Sequence, residues 1–308
     1  MTILVCGEAL YDVFFDTERP EGFDLDARIG GSAFNVAMGL GRLGHPCGLL
    51  TGLSRDRLGQ KLHDRLADEG VATRYLARKD ATTTLAMVSL DASGGAQYQF
   101  YGKGAADRMV MPDDCPDPSS LAALVFGCFS LLTAPTGDTF LDFSARAAAA
   151  GTFVALDPNV RPTVEPDANV WRARVAAFAQ NAAFVKASSD DVAFLHPGET
   201  LESVAERWLS AGASAVALTD GGKGATLYRV GEITHVAAPA VTVADTVGAG
   251  DSFLAAFLVA LADREALSPR GLRDLSKDEA AAVLSFAVAA AAKTCTRRGA
   301  DLPRRAEI

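Results

Sequence analysis

Short apolar runs alternate along this chain with stretches whose apolar residues recur every three to four positions. Ile3 to Cys6 reads as a first core strand and is followed by a helix over 33–43. Cys47 to Gly52 reads as a second strand, followed by a helix over 57–69 in which Leu58, Leu62 and Leu66 share a face. The rhythm resumes after residue 121 with a strand at Leu124 to Phe126, a helix near 138–149, a strand at Phe153 to Leu156, a helix near 168–179 and a strand at Ala183 to Lys186. A helix opening at Leu201 carries Val204, Ala205, Trp208 and Leu209 on one stripe and precedes a strand at Ala215 to Thr219. Alternation of this kind predicts an α/β fold: a doubly wound, mostly parallel sheet flanked by helices on both faces.

Two β-prone stretches, 10–30 and 83–104, break that rhythm: YDVFF in the first, then TTTLAMVSL and AQYQFY with DASGG as the turn between them. These strands are too few to bury a core of their own, so the expectation is a small β-sheet lid over the carboxyl edge of the main sheet. Its free edges are where a second subunit would pair, giving a homodimer. The expected division is 1–9, 31–82 and 105–308 for the α/β domain, with 10–30 and 83–104 as the lid.

Composition narrows the function classes. With 308 residues, 49% hydrophobic and 22% charged, the chain is long enough for one large core and a small appendage. A formal net charge of −9 argues against nucleic acid and anionic membrane as partners, because both reward clustered Lys and Arg. Cys6, Cys47, Cys115, Cys128 and Cys295 are scattered and form no C-x-x-C pair, so neither a disulfide framework nor a zinc site is expected and a cytoplasmic location is. The opening MTILVCGEALYDVFF has acids at Glu8 and Asp12 and no basic leader, which makes it a core strand rather than a signal peptide. The Ala-rich stretch 280–292, interrupted by Ser285 and followed by Lys293, reads as a buried helix rather than a membrane span.

The chemistry concentrates in DTVGAGDSF, residues 245–253. VTV at 241–243 reads as a strand before it, and Phe253, Leu254, Phe257, Leu258 and Leu261 repeat at helical spacing after it. Gly248, Ala249 and Gly250 leave backbone N–H groups bare at a helix N-terminus, where dipole and orphan donors both favour an anion such as a phosphate. Asp251, at the same mouth, is placed to take a proton from a hydroxyl that attacks the phosphate. On the bare pattern, GAGD is also a tight turn with Asp251 as an ordinary first-turn acid.

The nine-residue string resembles the second signature of the ribokinase-like (phosphofructokinase-B) carbohydrate kinases. GGSAFNVAMGLGRLG, residues 30–44, resembles the first signature, some two hundred residues upstream and in the right order. DPNVRP (157–162) and FGCFSLLTAP (126–135) look closest to the fructokinase branch and, for the former, less closely to 2-keto-3-deoxygluconate kinases. QFYGKGAADRMV (99–110) is similar to a fructokinase segment with an aromatic-Arg pair ahead of an A-D, except that Gly102 and Lys103 follow Tyr101, with Lys103 expected to supply the charge.

The resemblance covers essentially the whole chain and implies ATP-dependent phosphorylation of a sugar's primary hydroxyl. It implies Asp251 as catalytic base, with Gly248, Ala249 and Gly250 cradling the transferred phosphoryl group. The sugar would meet Asp12, Gly31, Asn35, Tyr101, Asp157, Asn159, Arg161 and Asp251. The nucleotide would meet Lys186, Ser188, Thr219, Gly222, Gly224, Ala249, Gly250, Ala291, Cys295 and Gly299. Asp191 would organise Mg²⁺ through water, in an N-x-x-E-type element that here reads Ser188-Ser189-Asp190-Asp191, and Asp245 would neighbour a monovalent cation such as K⁺. Val288 stands where Asn is common in the family. Rival readings are a 2-keto-3-deoxygluconate kinase, another sugar or nucleoside kinase of the family, and a degenerate kinase acting as a sugar sensor, although the last would be expected to lose Asp251. A dinucleotide dehydrogenase would need G-x-G-x-x-G after the first strand, where CGEALYD offers one glycine, and no P-loop sequence occurs.

Overall fold

A computed structural model describes residues 1–90 and 96–308, so the DASGG turn expected at 91–95 lies outside the described residues. The chain opens with β1 (Thr2–Cys6), β2 (Leu10–Arg19), β3 (Gly22–Gly30), α1 (Ser32–Arg42), β4 (Cys47–Ser54), α2 (Arg57–Asp68), β5 (Leu76–Lys79), β6 (Leu85–Leu90) and β7 (Ala96–Tyr101). It continues through β8 (Leu121–Gly127), α3 (Thr136–Ala149), β9 (Phe153–Asp157), α4 (Ala168–Ala179), β10 (Phe184–Ser188), α5 (Ser189–Leu195), α6 (Leu201–Ser210) and β11 (Ala215–Thr219). It closes with β12 (Ala225–Arg229), β13 (Glu232–Val236), α7 (Ala249–Ala262), α8 (Pro269–Asp274) and α9 (Lys277–Cys295).

Nine strands form one sheet in the order β13-β12-β11-β10-β9-β8-β1-β4-β5. Pairing is parallel from β5 to β11 and antiparallel only at β12 and β13. Strands such as β1 and β9 are apolar along almost their whole length because helices cover both faces. On one face α1, α2, α7 and α9 pack around Leu40, Leu62, Phe253 and Leu284; on the other α3, α4, α5 and α6 pack around Phe140, Trp171, Leu195 and Trp208. Strand order reverses at β1, with β4 on one side and β8 on the other, and the carboxyl ends around such a reversal are where an open α/β sheet accepts ligands.

The two interrupting stretches make a separate four-stranded sheet in the order β3-β2-β6-β7. Register divides its residues between two faces. Tyr11, Val13 and Phe15 share a face with Leu25, Leu85, Met87 and Tyr101, while Asp12 shares the opposite face with Arg28, Ala86 and Phe100. One expectation fails outside the sheets. VTV at 241–243 is not a strand: Val241 and Val243 are exposed, and the segment is tied down where the Ala244 amide donates to the Cys295 carbonyl at 2.8 Å. β-branched residues without a neighbouring strand have no ladder to join.

Candidate active site

The carboxyl ends of β1, β8, β9, β10 and β11, five neighbours in the sheet, surround a cavity of about 550 Å³. Its walls also include Asp12 and Phe100 from the small sheet, Gly31, Ser32 and Asn35 from the start of α1, and Thr246 to Gly248, Gly250 and Asp251 at the mouth of α7.

Asp251 sits in the first turn of α7, which turns out of its loop at Gly248, a left-handed N-cap (φ 79°) that suits glycine. Its carboxylate is buried but fully oriented: Oδ1 accepts from the Ser32 hydroxyl at 2.7 Å and Oδ2 from the Asn35 amide at 2.8 Å. Ser32 Oγ also accepts from Asn159 Nδ2 at 2.6 Å, and Asn159 Oδ1 accepts from Arg161 Nη1 at 2.6 Å. Asp251, Ser32, Asn35, Asn159 and Arg161 therefore form one bonded network drawn from α7, α1 and the loop after β9. Burial works against the Arg161 cation, but the negative groups around it, Asp251, Asp191 and Glu8 among them, hold it above its ordinary pKa.

Next to this network lies an anion cradle. The amides of Gly250 and Asp251 have no acceptor among the described residues, whereas that of Ala249 already donates to Thr246 O at 3.2 Å. A Cβ on Gly250 would lie 2.9 Å from Lys186 Nζ, so the ammonium stands directly beside those bare amides. Lys186 also bonds Asp157 Oδ2 at 2.8 Å in a buried ion pair. Burial presses Lys186 downward but Asp157 and Asp191 outweigh it and hold it above its ordinary value; burial lifts the Asp157 carboxyl to about 6 against the pull of Lys186. Asp157 Oδ1 has no hydrogen-bond partner among the described residues, and Asp157 borders a separate small cavity of about 10 Å³, room for a single water.

On the sugar side expected from the sequence, Asp12 is half-buried and raised to about 6, chiefly by burial, with Arg161 pulling it down and Glu8 pushing it up. Gly31 takes φ 104°, and a Cβ there would come within 2.9 Å of the Glu8 carbonyl. Tyr101 is a correction: it is 57% exposed on the face of the small sheet opposite Asp12, and Phe100 takes the cavity side, edge-on to Phe129 at 5.5 Å. Lys103 is likewise exposed and outside the cavity; the cation in that region is Arg108, with its guanidinium carbon 5.2 Å from the centroid of the Phe129 ring.

The nucleotide and metal candidates divide. Lys186, Ser188, Asp191 and Thr219 line the cavity, as does Gly221. Gly222 is exposed, and Gly224 is buried with its Cβ direction 2.7 Å from the Ala238 amide, so Gly224 serves backbone packing. Ala291, Cys295, Gly299 and Asp245 lie outside the cavity lining. Asp245 joins two loops, Oδ1 accepting from the Val247 amide at 3.1 Å and Oδ2 from the Gly299 amide at 2.8 Å. Burial raises its pKa, but the Gly299, Val247 and Thr246 amides more than offset this and leave it below the usual value. Asp191 accepts from the Val160 amide at 2.8 Å through Oδ1 and closes a capping box with Ser188 through Oδ2. Among the described residues no cluster of three or more His, Cys, Asp or Glu could hold a metal ion. Mg²⁺ is commonly held by one or two carboxylates together with water and substrate oxygens, so it does not need such a cluster.

Two residues were given no site role by the sequence reading. Ser32 stands inside the quoted GGSAFNV run but resembles any small polar residue at a helix start, and Glu8 follows the first strand as an acid noted only for its charge. Both line the cavity, and Glu8 is 1% exposed.

Comparison with known proteins places this arrangement. Residues 2–306 match the family described as pfkB family carbohydrate kinase. A fructokinase of Rhizobium leguminosarum bv. trifolii is 37% identical over 278 residues, spanning 89% of this chain and 84% of that protein. The crystal structure of fructokinase with bound ATP from Xylella fastidiosa superposes with a TM-score of 0.91 at 28% identity, covering 99% of this chain and 96% of that one. The aminoimidazole riboside kinase of Salmonella enterica superposes with a TM-score of 0.84 at 25% identity, covering 100% and 97%.

Proposed function

The chain belongs to the pfkB family of carbohydrate kinases, and we propose that within it this sugar kinase is a fructokinase, moving the γ-phosphoryl group of ATP to a primary hydroxyl of fructose. The observation that carries the reading is the juxtaposition of an oriented carboxylate, Asp251, with bare helix amides and a buried ammonium, all facing one cavity. Asp251 accepts the hydroxyl proton as the oxygen attacks. The amides of Gly250 and Asp251 and the Lys186 ammonium stabilise the charge on the transferred group. Asp12, as a carboxylate, accepts from vicinal sugar hydroxyls, and Asn159 and Arg161 complete the polar wall while Phe100 and Phe129 supply the apolar one.

Asp191 is the residue that would meet Mg²⁺, through water, and the ion when bound neutralises charge on the nucleotide phosphates. Asp245, ionised between two loops, is the residue a K⁺ ion would neighbour, and Ala291, Cys295 and Gly299 border the expected adenine side. The small sheet acts as the lid, with 10–30 and the described part of 83–104 moving against the rest of the chain. The face opposite Asp12, buried at Tyr11 and Val13, exposes Phe15, Phe23, Leu25 and Tyr101, a patch suited to a second copy of the chain, so sedimentation should find a dimer. No helix among the described residues is long and apolar enough to cross a membrane. The five free cysteines are compatible with a reducing, cytoplasmic setting.

A coupled assay of the purified protein with ATP and fructose, 2-keto-3-deoxygluconate, ribose or adenosine tests the reading. Fructose should give the highest kcat/KM; a tenfold preference for another of the four, on the order of 1.4 kcal/mol of transition-state binding, would replace it.

A further inference from the structure

Glu8 is a buried acid at the site whose carboxylate accepts three hydrogen bonds, yet it touches none of the reacting groups assigned above. Its Oε1 accepts from the Ser32 amide at 2.8 Å and the Ala33 amide at 3.4 Å, and its Oε2 accepts from the Ser130 hydroxyl at 2.6 Å. Its backbone carbonyl accepts the next amide, Phe34, at 3.2 Å. The helix these amides open, α1, has Gly31 as its N-cap, without a side-chain cap and with no acid in its own first turn. A remote carboxylate thus does what a cap does, holding the first two amides of α1 while the Glu8 backbone carbonyl holds the third, and opposing the positive end of the helix dipole. The same carboxylate ties α1 to the Ser130 segment, whose neighbours Cys128 and Phe129 form the far wall of the cavity.

The consequence reaches the base through Ser32. Its amide is bonded to Glu8 while its hydroxyl orients Asp251 Oδ1, so the backbone position of Ser32 sets the direction of the Asp251 carboxylate. We infer that Glu8 is a positioning residue for phosphoryl transfer, anchoring the start of α1 so that the Ser32 hydroxyl and the Asn35 amide aim Asp251 at the attacking hydroxyl. This rests on Asp251 being the base. It assigns Glu8 no proton transfer and no contact with the nucleotide.

A double-mutant cycle separates this role from plain structural support. Ser32→Ala and Glu8→Ala should each lower kcat by about 10- to 100-fold, the scale of a misplaced reacting group, while the KM for ATP stays within about threefold. Because Glu8 acts through Ser32, the double variant should be no slower than the slower single variant. Glu8→Gln keeps an acceptor for the α1 amides and should recover kcat to within about threefold of the parent. Multiplicative losses in the double variant, a Glu8→Ala enzyme with parental kcat and only a lower Tm, or a Glu8→Gln enzyme as slow as Glu8→Ala would each overturn the assignment. Should Glu8→Ala fail to fold, Glu8→Asp, one methylene too short to reach all three donors, runs the same cycle. Asp251→Asn measured alongside keeps the two claims apart: if it is inactive while the cycle is multiplicative, only the role of Glu8 fails, and if it is fully active, the base assignment fails first.

Discussion

Adding one methyl group at Gly250 should stop phosphoryl transfer while hardly affecting the fold. Gly250 does not take a left-handed backbone, so alanine brings no torsional strain, and the Cβ would meet just one neighbour, Lys186, at 2.9 Å from Nζ and 3.8 Å from Cε. Ordinary contact requires the flexible ammonium to retreat by about 0.5 Å. At worst this stretches the 2.8 Å ion pair to Asp157 by that amount; with an effective dielectric of about 20 the loss is about 1 kcal/mol, or about 2 °C in Tm for a chain of this size. The kinetic effect is far larger, because the methyl occupies the space between the bare amides and the ammonium where a phosphate oxygen must sit. Losing one such stabilising contact costs about 10²- to 10³-fold in kcat. A coupled ADP-release assay, with calorimetric melting of the same samples, reads both quantities. Gly250→Ala with kcat and ATP KM within twofold of the parent would show that the phosphate binds elsewhere; a Tm loss of ten degrees or more would show that the glycine is chiefly structural.

Two further outcomes follow from the sugar side. Asp12 must be ionised to accept two hydroxyls and is raised to about 6, so its contribution is present above that pH and lost as pH falls through it; kcat/KM for the sugar should drop about tenfold per unit below 6. Asp157 and Asp107 lie in the same range, so Asp12→Asn decides: the acid limb should vanish, and its survival would assign it away from Asp12, to one of those two. If the small sheet closes over bound sugar, amide exchange in 10–30 and in the described part of 83–104 should slow when fructose binds, and unchanged exchange at confirmed saturation would make that sheet a static wall.

Legibility followed the range of the interactions. The strand and helix order was readable because periodicity is local, and the helix expected near 168–179 is α4 at Ala168–Ala179. DTVGAGDSF was readable because cradle and acid lie within one turn of chain. Side chains whose meaning depends on distant partners were not: Ser32 meets Asp251 across 219 positions and Glu8 meets Ser130 across 122, so neither pairing has a local signature. Glu8 did leave one signal, an acid two residues past the end of a core strand. Tyr101 was misplaced because a one-residue change of parity in a strand exchanges its two faces, and only pairing with β6 shows that Phe100 stands on the side of Asp12. The VTV run has strand composition but finds no neighbour to pair with.

The central claim is that Asp251 takes the proton from the attacking hydroxyl, and Asp251→Asn tests it most directly. Asparagine keeps the volume and can still accept from Ser32, and a flip of the Asn35 amide offers the new NH₂ an acceptor, so the fold and both ligand affinities should persist. Single-turnover kinetics with fructose and ATP, alongside calorimetric titration of each ligand, should give affinities within a few-fold of the parent and a transfer rate lowered by about 10²- to 10⁴-fold. A transfer rate within twofold of the parent would contradict the account.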